Sequence, residues 1–171
     1  MTADQTIPAA DRADEIEDWL GVMAPMLLAY FLRRVTPPDE AADLLAEALL
    51  VLWRRAEAIP AEDRAARMWA YGVARNVLRG HRRTSRRRSA LTERLRAELA
   101  STEEVAHPAD DRVLDLRSAI ERLKPIDREI VRLVHWDGLS LVEAAEVVGM
   151  REGTVRSRYH RARSVLRGQL G

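Results

Sequence analysis

The side chains best suited to chemistry in this chain are arginines, and the most informative group lies between Gly153 and Arg163. There Arg156, Arg158, Arg161 and Arg163 are interleaved with Thr154, Ser157 and His160. A guanidinium presents a rigid fork of donors that fits guanine edges and phosphates. Small and hydroxyl residues let a helix come close to a base. At about 100° per residue, Val155, Tyr159, Ala162 and Leu166 form one apolar stripe. Gly153, Ser157, His160 and Ser164 point directly away from it, with Arg156 and Arg163 on one flank and Thr154 and Arg161 on the other. This is the chemistry of a helix lying in the major groove of DNA. Arg156, Ser157, His160 and Arg161 are expected at base edges, and Arg158 and Arg163 at phosphates. The bland alternative, a solvated basic face, loses ground to what precedes the helix. Ser140 and Glu143 have capping-box spacing, Leu141, Ala144, Ala145 and Val148 form a short buried side, and Gly149 suits a left-handed turn. Helix, tight turn, helix is a helix-turn-helix.

A second basic face lies earlier. Arg75, Arg79, Arg82, Arg83 and Arg86 recur at i, i+4, i+7, i+8 and i+11, opposite Trp69, Val73 and Val77. A nucleic-acid backbone could lie along it, with an aromatic as stacking surface. Trp69 at this spacing is more simply core than stacking platform. His135 and Trp136, before the Asp137-Gly138 turn, read as core or capping residues.

Catalysis finds no support. The chain has no cysteine, which excludes thiolate chemistry and Cys-ligated zinc. None of its glycines forms a phosphate-cradling GxxxxGK[ST] loop, and His81, His107, His135 and His160 lie too far apart for a zinc pair. Glu103-Glu104 and Asp110-Asp111 read as solvated charge. No catalytic residue, metal or cofactor is expected.

The elements that must position these residues are helical throughout. Asp14 to Val22 and Pro25 to Arg34 read as two helical stretches. After the break at Thr36-Pro37-Pro38, Asp39 is placed to cap a helix from Glu40 to Arg55 with Ala41, Leu44, Leu45, Ala48, Leu49 and Leu52 on its buried stripe. A third helix runs from about Ala65 to Arg83. Residues 84–112 lose the apolar stripe, contain the densest arginine run and a possible short helix at 91–100, and read as a flexible linker. Helical pattern returns at Val113, interrupted at Lys124-Pro125, Asp137-Gly138 and Gly149. The expected fold is all-α: two small helical domains, 14–83 and 113–171, joined by the linker.

Charge distribution agrees with this division. The 171 residues carry a net charge of only +1. Yet the first 50 residues are acid-rich, whereas nine arginines face Glu93 alone between Gly72 and Arg96, and six face Glu152 between Arg151 and Arg167. Two basic blocks in a neutral chain predict two contacts with a polyanion. The acidic N-terminus lacks the pattern of a signal peptide, and the longest uncharged stretch, Trp19 to Leu32, is too short to span a bilayer. A cytoplasmic protein without membrane insertion is expected.

Both halves resemble bacterial RNA polymerase sigma factors of the small extracytoplasmic-function (ECF) class, in the sigma-70 family. Gly153-Thr154-Val155-Arg156-Ser157-Arg158-Tyr159-His160-Arg161-Ala162-Arg163 is very close to the class's "GTVKSRLHRAR" recognition helix, and Leu123 to Glu129 resembles its "LPPREREV" helix start. Asp43 to Arg54 resembles "DLVQEVFLRAWR", and Trp69 to Asn76 resembles "WLYRIARN". The resemblance covers roughly residues 15–83 and 113–168. It implies a sigma-2-like bundle and a sigma-4-like helix-turn-helix domain. The partners it implies are core RNA polymerase (β′ clamp and β flap) and promoter DNA, with an anti-sigma factor as a partner common in the class. The −35 element would be read by Thr154, Arg156, Ser157, Arg158, His160, Arg161 and Arg163. The −10 element would be engaged and melted by Trp69, Arg75, Asn76, Arg79, Arg82 and Arg83. Polymerase would be gripped by Asp43, Leu44, Glu47, Leu49 and Trp53. The chain departs from the class at Ala46, Leu49, Gly80 and Arg151, where the class favours Gln, Phe, an acid, and Ser or Pro. Gly80 is expected to weaken its helix and to mark a bend. The competing function is a stand-alone helix-turn-helix regulator whose N-terminal half is a dimerisation or sensor module.

Overall fold

The computed structural model describes residues 9–99 and 111–170, with side chains described for 13–87 and 116–169. Every regular element among them is helical, as expected of an all-α chain. The chain divides into two compact units, Met1–Arg82 and Arg83–Gly171.

The first unit begins with one long helix, α1 (Ala9–Leu32), where two stretches were expected. Pro25 removes one backbone donor and normally costs about 3 kcal/mol inside a helix. Here Pro25 and Gly21, whose carbonyl loses that donor, are both exposed, so water can satisfy the oxygen. Met23, Leu27, Tyr30 and Phe31 are buried on either side of the proline. At about 1.5–3 kcal/mol for each large apolar side chain removed from water, they outweigh the break. Helix α2 (Glu40–Arg54) buries Ala41, Leu44, Ala48 and Leu52. Leu45 and Leu49, expected on the same stripe, lie half-buried at its edges. Asp39 occupies the N-cap position with helical dihedrals and its side chain makes no capping hydrogen bond, contrary to expectation. One turn of 3-10 helix, Ala56–Ala58, follows.

Helix α3 (Asp63–Leu99) continues well past the expected end at Arg83, passes through Gly80 without interruption and absorbs the short helix expected at 91–100 as far as Leu99. From Thr84 to Leu99 there is no glycine or proline, and most residues are Arg, Leu, Ala or Glu, which favour helix. An apolar stripe is required to bury a helix, whereas propensity alone can prolong one. Residues 100–110 of the expected linker lie outside the described residues. Tyr71 of α3 meets Tyr30 of α1 edge-on at 5.8 Å between ring centres. His81 of α3 approaches Glu40 of α2 at 3.0 Å. Arg34, buried just beyond α1, lies over the Tyr30 ring at 3.6 Å and donates to the Tyr30 carbonyl at 3.0 Å.

The second unit holds α4 (Asp111–Arg122), α5 (Pro125–His135), α6 (Leu141–Val148) and α7 (Glu152–Leu170), with breaks at the three expected places. Pro125 opens α5, where a missing donor costs nothing. Arg128 and Arg132 of α5 both reach Glu121 of α4, fixing that corner. Ile120, Ile130, Leu133, Leu139, Ala144, Val148, Val155 and Ala162 are among the buried residues, so all four helices and the α5–α6 turn share one core.

Candidate nucleic-acid interface

The geometry of the helix-turn-helix is fixed by backbone chemistry at two points. Ser140 is the N-cap of α6: its hydroxyl accepts from the Glu143 N–H at 3.2 Å, and its own N–H donates to the Glu143 carboxylate at 2.8 Å. This is the expected reciprocal capping box. At the other end Gly149 takes φ 67° and ψ 41°. The Gly149 N–H donates to the Glu146 carbonyl at 3.1 Å and the Met150 N–H to the Ala145 carbonyl at 3.0 Å, the paired bonds of a Schellman turn. The chain then reverses within Met150 and Arg151 and enters α7, where Thr154 and Val155 both donate to the Arg151 carbonyl.

On α7, Val155, Tyr159 and Ala162 are buried and Leu166 half-buried, so the apolar stripe faces the core as the spacing requires. Gly153, Thr154, Arg156, Ser157, His160, Arg161, Arg163 and Ser164 are all exposed. Six of the seven residues expected on DNA therefore present one continuous polar face. Arg156 pairs with Glu152 one turn earlier, and Arg163 lies over the Tyr159 ring at 5.7 Å. Arg158 differs. It is half-buried, and its Nη1 donates to Asp127 Oδ1 on α5 at 2.9 Å.

A chain of rings links the end of α5 to this face. The His135 ring stacks on that of Tyr159 at 5.8 Å between ring centres, with its Nε2 at 3.0 Å from the Tyr159 hydroxyl, and Tyr159 in turn meets His160 edge-on. Trp136, the C-cap of α5, meets His135 edge-on and is 43% exposed. One of the two sequence readings, capping, fits Trp136. Neither residue is core, because Leu133 and Val131 supply the buried side of α5 and the last turn projects outward.

On α3, Asn76, Arg79 and Arg83 are exposed, while Arg75 and Trp69 are half-buried. Arg82 is half-buried and donates to the Arg34 carbonyl at 3.2 Å, so it also braces the end of α1. On α2, Asp43, Glu47 and Trp53 are exposed and Leu49 is half-buried. Leu44, expected among the polymerase contacts, is only 3% exposed and belongs to the core: it falls on the Ala41, Ala48, Leu52 stripe, which the helix turns inward. Leu50, absent from the expected polymerase contacts, shares the exposed side of α2. It is 47% exposed, one turn from the 46%-exposed Trp53, and extends the outer face with Asp43 and Glu47. Its signal was its position off the buried stripe in an otherwise apolar run.

Among the described residues, no group of three or more His, Asp or Glu is placed to hold a metal ion, and no helix is long and apolar enough to cross a membrane.

Family models place these two units. The model for Sigma-70 region 2 matches residues 22–88, and that for Sigma-70 region 4 matches residues 114–166. The ECF RNA polymerase sigma factor SigL of Mycobacterium tuberculosis is 34% identical over 146 residues, covering 84% of this chain and 82% of SigL. This chain belongs to the ECF RNA polymerase sigma factor family. A second relative, the RNA polymerase sigma-E factor of Streptomyces antibioticus, is 36% identical over 136 residues, covering 80% of this chain and 73% of that one. A solved structure of the sigma factor RpoE from Bartonella quintana, in complex with the anti-sigma factor NepR, is similar with a TM-score of 0.64 at 26% identity, covering 91% of this chain and 96% of RpoE. CnrH, solved with the cytosolic domain of CnrY, shares the fold with a TM-score of 0.66 at 23% identity, covering 95% and 94% of the two chains. ECF sigma factors are regulatory proteins of promoter-specific transcription initiation rather than enzymes. Arg156 to Arg163 thus lies within the region 4 match, and Trp69 to Arg83 within the region 2 match.

Proposed function

We propose that this ECF sigma factor acts in the cytoplasm by binding core RNA polymerase and carrying it to promoters, where α7 reads the −35 element and the basic face of α3 engages and melts the −10 element. The observation that supports this reading most strongly is the exposed polar face of α7, held outward by the buried Val155, Tyr159 and Ala162. Arg156, Ser157, His160 and Arg161 are presented as a helix in the major groove needs them. On α3, Asn76, Arg79 and Arg83 supply a second, separate set of donors. The outer face of α2, with Asp43, Glu47, Leu50 and Trp53, combines charge with exposed apolar area and suits a protein partner, the β′ clamp. The second domain would meet the β flap. An anti-sigma factor is included among the partners because RpoE is held by one.

Neither domain needs high affinity alone. Once polymerase holds both, the second DNA contact becomes effectively intramolecular. The deciding experiment reconstitutes the chain with core polymerase and measures initiation in vitro. Specific starts dependent on this chain alone support the reading. Repression or activation that requires a separate sigma factor would instead indicate a stand-alone regulator.

A further inference from the structure

We infer that Arg158 is a positioning residue of α7 rather than a phosphate contact: its ion pair with Asp127 sets the recognition helix against α5 and so aims Arg156, Ser157, His160 and Arg161. The inference rests on the reading that α7 reads bases, and refines it by removing one arginine from the DNA-contacting set.

The argument begins with where the two side chains lie. Asp127 sits in the first turn of α5, where a carboxylate also complements the partial positive charge of the helix N-terminus. Its side chain is 18% exposed and that of Arg158 is 29% exposed, against 57% for Arg156, which pairs along the outer surface of α7 with Glu152. Arg158 follows Ser157 on the reading face and precedes Tyr159 on the buried stripe, so it occupies the shoulder of the helix that faces α5. Its Nη1 donates to Asp127 Oδ1 at 2.9 Å, while its Nε is buried without a hydrogen-bond partner. A guanidinium partly withdrawn from water and already neutralised would have to leave a carboxylate behind to reach a phosphate, and a charge stripped of its partner there is costly. Pairing residues 31 apart in sequence, the contact joins the helix that enters the groove to the helix on which it rests. A small change in tilt moves every donor on the reading face together, which is how a residue away from the bases governs discrimination.

The test uses full-length chain assembled with core polymerase, and compares binding to a promoter with its cognate upstream element and to one with that element altered, across a range of salt concentrations. Each phosphate contact contributes about 0.9 to the slope of log affinity against log salt. The positioning role predicts that Arg158→Ala leaves this slope unchanged while lowering the preference for the cognate element about tenfold. It also predicts that Asp127→Ala, which leaves Arg158 in place, lowers the preference to a similar extent. A phosphate role predicts the opposite pattern: the slope drops by nearly one for Arg158→Ala, and Asp127→Ala binds as well as or better than the parent chain. Either of those results overturns the inference. Thermal unfolding followed by circular dichroism checks each variant. If Asp127→Ala is unfolded at the assay temperature, Asp127→Asn replaces it, with a loss in the same direction expected and parent-like preference overturning the inference. Arg161→Ala is measured in parallel: loss of preference there, with a reduced salt slope for Arg158→Ala, sinks this inference alone, whereas an unchanged Arg161→Ala sinks the base-reading role of α7 itself.

Discussion

At the residue scale, the arginines of the two basic blocks separate by what they touch within their own domain. Arg161 is exposed on one flank of the outward face of α7, where its guanidinium can reach a guanine edge. Arg161→Ala is expected to cost about 1–3 kcal/mol of specific promoter binding and to relax sequence preference at one base pair. Footprinting across the upstream element checks this, and an unchanged footprint contradicts it. Arg82 is expected to behave differently, because it also donates to the Arg34 carbonyl. Arg82→Ala should lower thermal stability as well as promoter opening, by about 1 kcal/mol for a lost side-chain hydrogen bond. Differential scanning fluorimetry distinguishes it from Arg79→Ala, which should leave stability unchanged. The types and spacing of these arginines were legible in the sequence, but their internal partners were not. Hydrogen bonds across 31 or 48 residues leave no periodic trace.

At the element scale, local signals in the second unit agreed with one another and the helices ended where they should. Ser140 and Glu143 cap the start of α6 reciprocally, and Gly149 takes a left-handed backbone state that few other residues favour. Gly149 at φ 67° holds the sharp turn of the helix-turn-helix, and Gly149→Val should destabilise the second unit by about 1–2 kcal/mol, since a side chain in the left-handed region meets the backbone. Gly80 has no such constraint: helix α3 continues through it, and no atom outside the adjoining helix backbone lies within 4 Å of where a Cβ would sit. Gly80→Ala should therefore stabilise the chain by up to about 1 kcal/mol. Chemical denaturation of the two variants should give shifts of opposite sign. In α1 and α3 local signals and packing disagree. Pro25 read as a boundary, yet the burial of Met23, Leu27, Tyr30 and Phe31 carries α1 past it. The loss of an apolar stripe after Arg83 read as the end of α3, yet good helix formers sustain it to Leu99. Both discrepancies arise because a local preference of a few kcal/mol is decided by burial or its absence, which periodicity reports only indirectly.

At the scale of the whole molecule, the proposed function requires two separate contacts engaged together. The face of α2 built by Asp43, Glu47, Leu50 and Trp53 is expected to carry polymerase capture, independently of the α7 face. Replacing Trp53 and Asp43 together by alanine should weaken holoenzyme assembly at least tenfold while leaving the fold unaltered, because both side chains are exposed. Titration of core polymerase with the labelled chain, alongside circular dichroism, tests this, and loss of helicity would point to unfolding instead. Insertion of five base pairs between the two promoter elements rotates them by about half a turn of duplex. Transcription from such a template should fall at least tenfold, since one holoenzyme can then engage only one element at a time.

The residues themselves determined the helical class, the helix-turn-helix and the face of α7 that turns outward. Those features follow from nearest neighbours on one helix, where a 3.6-residue period and a capping residue suffice. Tertiary packing decided that α1 continues through its proline, that Leu45 and Leu49 of the α2 stripe stay half-buried, and that Arg158 is tied to Asp127. Each of these depends on which side of a helix meets another element, and that is a property of the packed domain rather than of any single stretch of chain.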